Sequence, residues 1–171
     1  MAIPAPLQHF DQSARNLLPA ATTLLLGLAA VVPYGIPHWG ALAPPLMLAG
    51  IYYWALTRPN LVPPSAAFAL GLFQDLVTGA PIGSSALVLV LVQWILRGQQ
   101  RYLINRPFLL LWAGFAPVVF GAAAIEWAIY AAYAQAMPNF AEGAIRAALG
   151  FVTFPVVAGL ILIQVHRALG D

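Results

Sequence analysis

The chain has 171 residues, of which 62% are hydrophobic and only 7% charged. A soluble domain carries roughly a quarter charged residues, so an ordinary soluble core is excluded, and the length leaves no room for a second globular domain beside a membrane bundle. The net charge of +2 rests on seven basic residues, all arginine, too sparse and scattered for a nucleic-acid-binding patch, and the lack of cysteine removes disulfide and thiolate chemistry.

Residues 1–16 include Pro4, Pro6, His9, Asp11 and Arg15 and read as a short cytoplasmic tail, with a single transmembrane domain over 17–168. The apolar run that follows the tail continues to Gly35. It is longer than a signal h-region of ~7–15 residues and lacks a clear small-residue cleavage site, so it reads as a first anchor.

A spanning helix needs about 20 mostly apolar residues, somewhat fewer where the bilayer thins. Six stretches qualify: 17–35, 41–56, 62–78, 83–96, 108–133 and 144–165. The breaks GIPHWG, TRPNLVPP, TGAPIG, RGQQRYLINRP and AQAMPNFAEG supply turn formers or charges where each helical pattern stops. The third and fourth spans are short and joined by a minimal turn, whereas the fifth is long enough to require tilt or bending. No internal repeat stands out, which weakens an inverted-repeat transporter reading. The expected fold is therefore an all-α integral membrane protein with six transmembrane helices.

With the N-terminus inside, Arg15, Arg58, Arg97, Arg101, Arg106 and Arg167 lie on the cytoplasmic side and only Arg146 lies outside. This bias predicts an N-in, C-in topology by the positive-inside rule. Aromatic residues give a second signal, because Trp and Tyr favour both membrane interfaces. Tyr34 and Trp39 flank the first outer turn, Tyr52, Tyr53 and Trp54 close the second span, Trp94 closes the fourth, and Trp127, Tyr130 and Tyr133 end the fifth.

Charges within spans are expensive and are candidates for function. Asp75, Glu126 and Arg146 qualify, and all three fall toward the outer face. Arg146 is expected to neutralise one of the two acids, or else to pair with Glu142 one helical turn earlier. Ala67, Gly71, Asp75 and Gly79 recur every four residues and so share one helix face, where small side chains allow close helix approach. Across the turn, Gly83-Ser84-Ser85 opens the next helix with unsatisfied N–H groups that a carboxylate can accept. Asp75 is thus read first as an architectural clamp, with partner contact and proton or substrate handling as alternatives. Glu126 follows the small run Gly121-Ala122-Ala123-Ala124 and reads as a buried ion pair or hydrogen bond. Arg58, before Pro59, reads as a positive-inside anchor or a docking point for a cytoplasmic partner.

Catalytic readings find little support. The histidines at 9, 38 and 166 have no helical neighbour suited to a metal site, and Ser84-Ser85 reads as a helix start. No P-loop, dinucleotide fingerprint or paired-carboxylate motif is present, so neither an enzyme nor a bound cofactor or metal is expected.

Residues 52–96, YYWALTRPNLVPPSAAFALGLFQDLVTGAPIGSSALVLVLVQWIL, resemble the bacterial rod shape-determining family MreD. The resemblance lies in an aromatic-rich span ending in Arg58-Pro59, then Val62-Pro63-Pro64, Gly71-Leu72, Asp75-Leu76 and the Gly79-x-Pro81-x-Gly83 turn. Total length, six spans and the arginine-rich loop after the fourth agree with it. The resemblance implies a non-enzymatic component of the bacterial inner membrane that partners the single-span protein MreC. It further implies work alongside the glycosyltransferase RodA, a class B penicillin-binding transpeptidase and the filament protein MreB, within the lipid membrane. The fold it implies is that of the substrate-binding components of energy-coupling-factor transporters. A small-molecule, vitamin-type binding component is the competing reading. No catalytic residue is carried over from the family; Asp75 and the glycine turn transfer only as signature positions.

Overall fold

The computed structural model describes residues 5–32, 35, 39–103, 107–134 and 139–169. Among them the chain is all-helical, in the order α1 (Ala5–Val31), α2 (Trp39–Leu42), α3 (Leu46–Thr57), α4 (Pro64–Thr78), α5 (Ser84–Leu103), α6 (Phe108–Ala134) and α7 (Phe140–Leu169). Six of these follow the six apolar stretches in order, and α2 is a single extra turn. By length and composition, α6 and the Phe140–Gln164 part of α7 are apolar enough to cross a membrane.

The boundaries differ from expectation where local chemistry was hard to weigh. The expected tail is helical from Ala5 onward, and α5 runs to Leu103 rather than stopping at 96. Arginines and glutamines are good helix formers, so a change from apolar to polar sequence need not end a helix. The second stretch is split: Pro44 and Pro45 lack N–H groups, the chain leaves helix at 43–45, and α3 restarts at Leu46. Proline at the first position of α4 has the opposite effect, because its fixed φ suits a helix start.

The 12-residue α3 spans only about 18 Å at 1.5 Å per residue. It is nevertheless the centre of the bundle, with every residue from Met47 to Leu56 buried, and it touches α1, α5, α6 and α7. This corrects the interfacial role expected of Tyr52, Tyr53 and Trp54, which are core residues. Tyr52 packs against Phe115 and Phe154 with ring centroids 5.0 and 5.4 Å away, and its hydroxyl donates to the Leu111 carbonyl at 2.8 Å. The Trp54 indole N–H donates to Thr22 Oγ1 at 3.0 Å. Satisfied polar ends let these rings be buried without stranding a donor. Trp94 and Tyr133, by contrast, are each 75% exposed on the outside of the bundle.

Candidate functional site

The chain between α4 and α5 turns on one residue. At the end of α4 the backbone carbonyl of Asp75 accepts the N–H groups of Gly79 and of Ala80, the latter at 3.2 Å. Gly79 has φ +70°, the left-handed conformation that closes a helix and that glycine adopts without a Cβ penalty. Pro81 then accepts the Ser84 N–H at 3.0 Å, and Gly83, at φ +96°, makes the first helical bond of α5 with Leu87.

The Asp75 side chain does the reverse task at the start of α5. Its Oδ2 accepts the Gly83 N–H at 2.7 Å, and its Oδ1 accepts the Ser85 N–H at 2.9 Å and the Ser84 hydroxyl at 3.2 Å. With 1% of its surface exposed, the carboxylate is shielded from solvent and is held by three donors and the positive end of α5. One turn earlier, Gly71 lets the two backbones touch. A Cβ there would overlap the Ala86 backbone and come within 2.8 Å of the Ser85 carbonyl carbon. Ala67, 0% exposed, continues that face. Gly79 does not belong to it: a Cβ there would meet nothing within 4 Å, because the left-handed turn has already carried the chain off the helix.

A second polar cluster joins α6, α7 and the break before α3. Arg146 Nη1 lies 3.3 Å from Glu126 Oε2, and Arg146 Nε donates to the Ala43 carbonyl at 3.1 Å. That carbonyl lies in the proline break, so the guanidinium ties a non-helical backbone segment to two long helices. Of the alternatives open in sequence, Arg146 takes Glu126; Glu142 is exposed on the first turn of α7. The run before Glu126 does not form one packing face, because Ala122 is buried while Gly121 and Ala124 are exposed.

At the other end of the bundle Arg58 ends α3, its N–H bonding the Trp54 carbonyl, with the side chain exposed. Nearby, Arg97 Nη2 donates to the Pro59 carbonyl at 3.2 Å. His38 and Arg106 lie outside the described residues, as do the side chains of His9 and His166. No metal-ligating group of three His, Asp or Glu side chains occurs among the described residues.

The family described as rod shape-determining protein MreD matches residues 15–162 of the 171-residue chain. The chain belongs to the MreD family. Rod-shape determination is thus the role attached to this membrane-associated family. The match takes in Arg58, Gly71, Asp75, Gly79, Pro81, Gly83, Glu126 and Arg146. No curated protein and no solved structure matches the chain. The likeness to the energy-coupling-factor components therefore rests on the sequence resemblance alone.

Two residues of this MreD-family chain were passed over in sequence. Gln93 is fully buried in α5 and donates through Nε2 to the carbonyl of Val62, satisfying the loop that precedes α4. Gln74 lines a cavity beside Arg146. Each is a carboxamide inside an apolar stretch, the same signal that singled out Asp75, Glu126 and Arg146.

Proposed function

We propose that this protein is a non-enzymatic membrane scaffold of the cell-elongation machinery, supporting rod shape and lateral peptidoglycan synthesis through MreC. The observation that carries the reading is the family match over residues 15–162. The architecture supports it in kind. Asp75, the most deeply buried acid among the described residues, is committed to closing a hairpin, and Glu126 is committed to Arg146. The α4–α5 connection is only five residues long, over 79–83, so the molecule offers partners mainly helix sides and short turns.

In this reading the chain crosses the bacterial inner membrane six times with both termini in the cytoplasm. Arg58 and Arg97 then lie at the inner face, and the Asp75 turn and the Glu126–Arg146 pair at the outer one. MreC is the direct partner, while RodA, the class B transpeptidase and MreB are reached indirectly or as additional partners.

Depletion in a rod-shaped host is expected to give round cells, and affinity purification of the full chain from membranes is expected to recover MreC. Rod shape retained under depletion, with no MreC recovered, overturns the proposal. Reporter fusions in the Arg58–Val62 and Gly79–Gly83 turns test the topology, with cytoplasmic signal expected only from the first.

A further inference from the structure

The cavity of about 190 Å³ beside Arg146 has a composition that packing alone does not explain. Ala30 and Val31 from α1, Met47 from α3 and Val77 from α4 give it an apolar wall, and Gln74 and Arg146 supply polar groups. These residues come from the C-terminal ends of α1 and α4 and the N-terminal parts of α3 and α7, so the cavity opens at one end of the bundle.

A guanidinium carries five N–H donors. Arg146 uses Nε on Ala43 and Nη1 on Glu126, while its Nη2 has no partner among the described residues. Glu126 lines the smaller adjoining cavity and not this one, so among the described residues the guanidinium is the charged side chain on the wall. Gln74 Oε1 is buried with no hydrogen-bond partner among the described residues. A leucine of similar shape would avoid that cost, so packing does not account for the carboxamide. The same carboxamide carries an N–H pair, and Gln74 lines this wall, so a ligand oxygen there has a neutral donor beside the guanidinium.

We infer that this cavity is a binding site for the anionic headgroup of an amphiphile, with phosphate or carboxylate oxygens on Arg146 and Gln74 and the apolar body against Ala30, Val31 and Val77. The inference does not depend on MreC as partner. In the proposed topology this end of the bundle meets the outer leaflet, where phospholipid headgroups are at hand.

The test is a titration of the purified full chain in detergent, read by thermal unfolding, since a ligand that binds only the folded state raises its stability. Three probes are compared: short-chain phosphatidylglycerol, phosphatidylcholine of the same chain length, and inorganic phosphate. Phosphatidylglycerol is expected to bind about tenfold more tightly than either other probe, as one charge-assisted hydrogen bond allows. Gln74→Leu is expected to unfold no lower than wild type, because it removes an unpartnered oxygen, yet to lose most of that preference. Arg146→Gln is expected to lose it too, and Arg97→Gln, at the opposite end, to keep it. The inference is overturned if folded Gln74→Leu keeps the wild-type preference, if Arg97→Gln abolishes it, if inorganic phosphate binds as tightly as phosphatidylglycerol, or if phosphatidylglycerol shows no preference.

Discussion

Asp75 and Gly83 are joined by a 2.7 Å hydrogen bond from the Gly83 N–H to a carboxylate oxygen, eight residues back on the preceding helix. The bond makes Asp75 the shared end of two helices: its carbonyl closes α4 and its side chain opens α5. An unpartnered N–H at the start of a buried helix costs free energy, and a charged acceptor there is stronger than a neutral cap.

Asp75→Asn retains one acceptor oxygen but turns the other into a donor facing an N–H group. It is expected to destabilise the protein by about 1–3 kcal/mol, the cost of a buried group left unsatisfied. Thermal unfolding of the purified chain and its steady-state level in membranes measure the effect. If Asp75→Asn unfolds like wild type, the clamp contributes nothing.

Gly71 and Gly121 make a matched pair. Gly71→Ala forces a methyl into the α5 backbone and is expected to cost about 1–3 kcal/mol. Gly121→Ala projects into open space and is expected to be neutral or stabilising by up to about 1 kcal/mol through helix propensity. The difference in unfolding temperature between the two variants is the readout, and a reversed order contradicts the packing described.

Gly79 and Gly83 are required for conformation rather than space, since neither has a neighbour within 4 Å of a built Cβ. Replacing either with alanine places an L-residue at positive φ, with an expected cost of about 1–2 kcal/mol. Gly79→Asn is expected to be milder, because asparagine tolerates the left-handed region. Unfolding curves that do not separate Gly79→Ala from Gly79→Asn speak against a purely conformational requirement.

Glu126 and Arg146 are expected to be coupled. Each is partly accessible, with side-chain exposures of 22% and 29%. Each single neutral variant, Glu126→Gln or Arg146→Gln, is therefore expected to cost about 1–2 kcal/mol, below the value for a fully buried pair. The double variant is expected to cost less than the sum by about 1 kcal/mol. Arg146→Gln alone also releases the Ala43 carbonyl, so it is expected to be the more damaging of the two. Strict additivity in the cycle rules the pair out as a coupled unit.

All-helical class, the order of six apolar stretches, the glycine turn and the three charges within apolar stretches were legible in the sequence, because hydrophobic periodicity and turn chemistry are local properties. The Asp75 clamp was visible as a possibility for the same reason: donor and acceptor are separated by only eight to ten residues. Long-range contacts decided the rest. Glu126 rather than Glu142 pairs with Arg146 because α6 and α7 pack antiparallel and bring side chains 20 positions apart together. Tyr52, Tyr53 and Trp54 became core rather than interface because α3, too short to cross on its own, is surrounded by four longer elements. The cavity beside Arg146 draws on five helices and a proline break. Residue patterns along the chain determine which segments are helices and where they turn; only tertiary packing decides which side of each helix meets a neighbour, and so which polar groups are satisfied and which remain open to a ligand.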